Sequence, residues 1–102
     1  MDKTELELKF KNELWRTFEE SVNLRYVPTR FLNMFRQYGA VNTAKRLLSA
    51  KEPQYGLFKL WELKRPDLSL EKLVLKPDYK KLFTSEELNT AKKRLEELGY
   101  KN

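Results

Sequence analysis

The sequence predicts an all-α protein, a compact single-domain bundle of about five to seven helices, several of them short. Three observations carry this. Apolar residues recur at helical spacing in segment after segment. No stretch sustains the period-two alternation of a half-buried strand. Helix-starting and helix-stopping residues fall where the periodic segments begin and end. The 102 residues suffice for one hydrophobic core and not for two. A composition 40% hydrophobic and 13% aromatic separates the chain from disordered sequences despite its many charges.

The first helix is expected from Thr4 to about Leu24. Leu6, Phe10, Leu14, Phe18 and Val22 recur at steps of four, and Trp15 widens the stripe. Glu5–Lys9 and Glu7–Lys11 stand at i,i+4 in the favourable order for the exposed face. "RYVPTRF" interrupts it, and Pro28 suits the first turn of a second helix, where its missing N–H costs no hydrogen bond. That helix is expected to bury Phe31, Leu32, Met34 and Phe35. Gly39 then suits a left-handed C-terminal cap, with Ala40 placed to contact Phe35 as in a Schellman motif. A third helix, Val41 to Ala50, carries Val41, Ala44, Leu47 and Leu48 on its apolar face and Asn42, Lys45, Arg46 and Ser49 opposite.

"KEPQYG" reads as a turn rich in breakers. "LFKLWELK" supplies a short fourth helix presenting Leu57, Leu60 and Trp61. "RPDLSLEKLVLKPDY" reads as a turn, an N-cap at Ser69 or Asp67, a short helix through Leu75 and a stop before Pro77. In the last helix Thr84 and Glu87 match a capping box, and Leu88, Ala91, Leu95 and Leu98 form the seam. Gly99 closes this helix and lets Tyr100 fold back on Leu95. The words "YVPTRFLNMF", "GAVNTAKRLL", "YGLFKLWELKRPDLSLEKLVL" and "LFTSEELNTAKKRLEELGY" together resemble a small hypothetical bacterial domain of similar length, found alone or joined to larger proteins. The resemblance covers most of residues 26–100 and implies a compact helical fold and a bacterial or phage source. It carries over no activity, cofactor or catalytic residue. Residues 1–25 match least, so they are read as an N-terminal helix particular to this protein, ahead of a family-like core.

The absence of cysteine removes disulfides, thiolate metal sites and cysteine nucleophiles, and the absence of histidine removes the commonest general base and metal ligand. Ser21, Ser49, Ser69 and Ser85 therefore have no imidazole to activate them. Three glycines cannot build a phosphate-cradling loop or a dinucleotide fingerprint, and neither motif is present. Glu19–Glu20, Glu86–Glu87 and Glu96–Glu97 are adjacent on helices, point about 100° apart and read as solvated surface. Glu62, Lys64 and Asp67 hold the pieces of a carboxylate–lysine nuclease site in the wrong order and without strands to converge them. The expectation is a non-enzymatic protein with no cofactor, no metal and no small-molecule substrate. "MDKTELELKF" lacks a signal peptide's apolar core, and no apolar run reaches membrane-spanning length. A soluble, cytoplasmic protein without a membrane partner follows.

The net charge of +6 is unevenly spread. Residues 1–24 carry −2 and residues 66–102 carry +1, whereas residues 25–65 hold nine basic side chains against only Glu52 and Glu62, a net of +7. Such an excess suits polyanions if folding gathers it. The helix–glycine–helix around Gly39 has the outline of a helix-turn-helix. Asn42, Thr43, Lys45, Arg46 and Ser49 are of types that reach bases or phosphates, and Arg30 and Arg36 precede them. Candidate nucleic-acid contacts are accordingly Arg30, Arg36, Asn42, Lys45, Arg46 and Lys51, with DNA or RNA as partner. The second reading is a protein–protein module without nucleic-acid affinity. There the broad apolar face of the first helix (Leu6, Leu8, Phe10, Leu14, Trp15, Phe18, Val22, Leu24) meets a partner or a second copy. Trp15 and Trp61 lie on apolar stripes and read as core, leaving Tyr55 as the aromatic expected at the surface.

Overall fold

Asp2 starts the longest helix: its carboxylate accepts from the Glu5 backbone N–H at 2.8 Å, giving a partner to one amide that a helix start leaves without one. This helix, α1, spans Lys3–Asn23 in the computed structural model, which describes residues 2–50 and 55–99. There follow α2 (Thr29–Tyr38), α3 (Ala40–Ser49), α4 (Tyr55–Glu62), a 3₁₀ turn at Pro66–Leu68, α5 (Leu70–Val74), a second 3₁₀ turn at Lys80–Leu82 and α6 (Ser85–Glu97). No strand occurs among the described residues, and the six helices form an all-α bundle. Among the described residues no helix is long and apolar enough to cross a membrane.

α1 is the spine of the core. Leu6, Phe10 and Leu14 belong to one buried cluster with Ala40, Ala44 and Leu48 of α3, Leu73 and Val74 of α5, and Ala91 of α6. Phe10 is fully buried and meets Tyr79 and Phe83 edge to face, at 5.2 and 5.4 Å between ring centroids. Tyr79 donates its hydroxyl proton to Glu13 at 2.6 Å, and Lys76 donates to the other carboxylate oxygen at 3.0 Å. The inward stripe of α1 ends on Ser21 rather than Val22. Ser21 satisfies its hydroxyl on the Thr17 carbonyl at 2.9 Å, while Val22 and Trp15 are each more than a third exposed. Lys9 does not pair with Glu5 but with Asp78, at 2.8 Å, because the Pro77–Asp78 turn packs beside it. No Glu7–Lys11 ion pair forms among the described residues either.

α2 departs furthest from expectation. It buries none of Phe31, Leu32, Met34 and Phe35 fully. It rests on the edge of the bundle, and its aromatics extend a row of rings begun by α1. Trp15 lies 5.0 Å from Phe18 and 5.5 Å from Phe35, and Phe18 lies 5.9 Å from Phe31. On α4, Leu57 and Leu60 face inward as expected, but Trp61 does not. It is 43% exposed and stacks on the equally exposed Phe58 at 6.0 Å. Tyr55 opens α4 rather than standing in the turn before it. Lys51, Tyr100 and the side chain of Tyr55 lie outside the described residues.

The caps of α5 and α6 form as read. Ser69, not Asp67, caps α5, accepting from the Lys72 backbone N–H at 3.1 Å, while Asp67 receives the Arg65 guanidinium. Thr84 and Glu87 close a reciprocal capping box on α6, and Gly99 takes a positive φ of 80° just beyond it. One tertiary clamp has no counterpart in the sequence reading. Arg94 of α6 donates to the carbonyls of Leu47, Leu48 and Ala50 at the end of α3, at 3.0, 3.4 and 2.9 Å. The same guanidinium lies 3.3 Å from Glu71 of α5, which is only 3% exposed. One arginine thus ties three helices together and satisfies carbonyls at the C-terminal end of α3, where the local backbone supplies the Ala50 N–H bond to Leu47 at 3.4 Å.

Candidate nucleic-acid interface

A single residue joins α2 to α3. Gly39 has φ 82° and ψ 176°, donates to the Phe35 carbonyl at 2.9 Å and accepts from the Thr43 N–H at 3.1 Å. It closes one helix and opens the next. The expected left-handed helical cap is not what forms, since its ψ is extended, and this φ/ψ region is open essentially to glycine alone. The connection is also tighter than the three or four residues of a helix-turn-helix turn. Nor does α3 project from the body as a groove-reading helix would. It packs against α1, α2 and α6, with Ala40, Thr43, Ala44 and Leu48 buried. Thr43 is fully enclosed, and its hydroxyl has no hydrogen-bond partner among the described residues, so it is no contact for a base.

The tight joint leaves the outward faces of the two helices on either side of one corner. On α2 the exposed polar residues are Thr29, Arg30, Asn33, Arg36 and Gln37. Arg30 and Arg36 are six positions apart, about 120° around the axis, and flank this face with the two amides between them. On α3 the exposed residues are Asn42, Arg46 and Ser49. Asn42 holds the Tyr38 carbonyl at 3.4 Å, and the Arg46 guanidinium lies 3.8 Å above the Tyr38 ring centroid. Stacking of this kind restrains an arginine without using its five N–H donors, which stay available for a phosphate fork. Neither α2 nor α3 contains an aspartate or glutamate. Among the described residues Arg30, Arg36 and Arg46 make no ion pair. Glu7 and Lys11 of α1 border the corner, sharing a shallow groove with Leu8, Tyr38, Val41 and Asn42.

Lys45 stands apart from this group. Its ammonium is 2.8 Å from the Glu87 carboxylate and 5.3 Å above the Phe83 ring. Partial burial pushes the Glu87 carboxyl up, but the hydrogen bonds from Lys45 and the Thr84 backbone outweigh it and hold the group below the usual carboxylate range. Lys45 is therefore spent on the fold. Arg65, another of the central cations, is occupied by Glu20 and Asp67, each at 3.1 Å. Of the six expected contact residues, the structure leaves Arg30, Arg36, Asn42 and Arg46 exposed on α2 and α3. It turns Lys45 toward α6, and Lys51 falls outside the described residues.

No family model, curated protein or solved structure matches the chain. Its chemistry is therefore read from its own residues. Asn33, Gln37 and Tyr38 complete the surface and were not among the expected contacts. Their signal was the lack of any acidic residue across both helices. Among the described residues no three acidic side chains gather where they could hold a metal ion, and Glu62, Lys64 and Asp67 build no such group. The arrangement offers fixed positive charge, guanidinium forks and amides, which bind and orient an anion but neither move a proton nor attack a bond.

Proposed function

We propose that this protein is a non-catalytic accessory module of the cytoplasm that contacts nucleic acid, or a complex carrying it, through the outer faces of α2 and α3. The single observation that carries this reading is the acid-free surface of three arginines and three amides arrayed on two helices locked by Gly39. Its chemistry is that of phosphate contact with few base-specific hydrogen bonds, since α3 is packed too deeply to enter a groove. Affinity should therefore depend strongly on salt and weakly on sequence. The test is fluorescence anisotropy with labelled duplex DNA, single-stranded DNA and RNA at two salt concentrations. The reading expects binding that weakens steeply with salt and is abolished when Arg30, Arg36 and Arg46 are all changed to glutamate.

One observation favours a second reading. Leu8 is 57% exposed beside the Gly39 corner, and Trp15 and Val22 also open outward from α1, so a protein partner docking on that helix would find apolar contacts there. Absence of nucleic-acid binding at low salt would transfer the assignment to this protein–protein module. Removal of residues 1–25 would not isolate the two readings, because Leu6, Phe10 and Leu14 are core.

A further inference from the structure

A groove of about 290 Å³, open to solvent, runs between α1 and the corner where α2 meets α3. Its apolar lining includes Leu8, Tyr38 and Val41, and its polar side chains are Glu7, Lys11 and Asn42. Leu8 is the most exposed large hydrophobic side chain among the described residues, at 57%. Neither Glu7 nor Lys11 forms an ion pair among those residues. An apolar floor left wet, between charges left unpaired, is suited to an occupant that supplies both kinds of contact.

Three features together select that occupant. The groove is open and its floor apolar, so a flat group lying on Leu8 and Val41 removes apolar surface from water. Its polar rim is mixed. Asn42 spends an N–H on the Tyr38 carbonyl, which leaves its side-chain oxygen to accept, and the Glu7 carboxylate accepts as well. Lys11 donates, and the Tyr38 hydroxyl can do either. A flat group with donors and acceptors along its edge is matched, whereas a hydrocarbon is not. The third feature is charge complementarity. Lys11 stands on the α1 wall, and Arg46 stands on the opposite wall, 3.8 Å above the Tyr38 ring, with its N–H donors unspent on any carboxylate. The occupant therefore carries negative groups to either side of its flat part. A nucleobase between two phosphates has all three properties. In a duplex its faces are covered by stacking, so only a single strand presents it. An acidic peptide would satisfy the two cations but would bring its carboxylates up to Glu7.

We propose that this groove holds one unstacked base of a single-stranded nucleic acid, with the phosphates before and after it on Arg46 and Lys11. The inference rests on the reading of α2 and α3 as a nucleic-acid surface and names the class of strand that surface takes. The base is held by its face, on Leu8 and Val41 beside Tyr38. Contact of that kind is tolerant of sequence, so the preference is for single strands and not for a particular base. Leu8 then serves the strand and not a protein partner.

Fluorescence anisotropy at low salt, comparing a labelled DNA single strand with an abasic strand of the same length and charge, isolates the base from the phosphates. The full chain should bind the intact strand about 5-fold or more tightly than the abasic one. Leu8→Ser, an exchange at the surface that leaves the core untouched, should erase this preference and keep the affinity for the abasic strand. Val22→Ser, at an exposed apolar position of α1 outside the groove, should keep the preference. Equal binding of the intact and abasic strands by the wild type would overturn the base groove and leave the phosphate reading of α2 and α3 standing. A preference that survives Leu8→Ser would place the base elsewhere and overturn it too. Absence of binding to either strand would overturn both readings. If a labelled acidic peptide with a central tryptophan then binds, and Leu8→Ser abolishes this, the groove belongs to a protein partner.

Discussion

Gly39 shows how one residue sets the geometry of a surface. A Cβ built at this position meets no atom within 4 Å, so the demand for glycine comes wholly from the backbone, at φ 82°. Gly39→Ala should cost about 1–3 kcal/mol, read as a lower urea midpoint with an unchanged slope. A synthetic chain with D-alanine there should be as stable as the wild type, because the mirrored φ/ψ region is ordinary for a D-residue. Equal loss in both would point to packing and not to backbone. The glycine, its cap role and its positive φ were legible in the sequence, but its extended ψ was not, since nothing in "YGAV" states how soon the next helix starts. Lys45 makes the complementary point. By type and register it belongs with Arg46, and only the approach of Glu87, from 42 residues away, removes it from the surface.

At the scale of elements, the features that were legible are those whose partners lie within one turn. Ser69 with Lys72 and Thr84 with Glu87 are three residues apart, and each formed as the motif states. The misreadings share the opposite property. Apolar periodicity identified α2 as amphipathic but could not tell that its neighbours cover it only partly, so its phenylalanines ended half-buried. Tyr79, the bulkiest fully buried side chain, sits in a turn where no helical period marks it. Arg94 reads as one more surface cation of α6 until Glu71 and the α3 carbonyls meet it. Arg94→Ala strands a buried carboxylate and should destabilise the fold by about 3–5 kcal/mol. Arg94→Lys should recover only part of this, because a point charge cannot serve three carbonyls and a carboxylate as a planar fork does. Chemical denaturation of both variants checks this, and an Arg94→Ala loss below about 1 kcal/mol would place the pair among surface contacts of little weight.

For the whole molecule, pH separates two kinds of buried charge. Partial burial pushes the Glu13 carboxyl up, but hydrogen bonds from Tyr79 and Lys76 outweigh it and hold the group below the usual range. A depressed carboxylate stabilises the fold above its unfolded value, about pH 4.3, and that contribution is lost as pH falls through the folded value. The stability gap between wild type and Glu13→Gln should therefore narrow between pH 6 and pH 3. A gap independent of pH would mean the carboxylate's charge is irrelevant. Glu71 has the opposite sign. Burial raises it against the opposing pull of its own backbone N–H and of Arg94, so its contribution falls as pH rises through the folded value. Tyr79, raised by burial and by its bond to Glu13, adds stability that fades above about pH 10.

The whole-molecule charge map was legible only as a regional excess. Folding divides that excess into cations consumed by carboxylates, such as Lys45 and Arg65, and cations left on α2 and α3, which hold no acidic residue. The measurement that tests the central claim most directly is the salt dependence of nucleic-acid affinity for the wild type, for a triple variant with Arg30, Arg36 and Arg46 changed to alanine, and for Lys45→Ala. With one phosphate per arginine, wild-type affinity should fall about 40-fold between 50 and 200 mM salt. The triple variant should lose nearly all of that slope, and Lys45→Ala should keep it. A wild-type chain that does not bind at low salt, or a triple variant whose slope matches the wild type, would contradict the assignment of this surface.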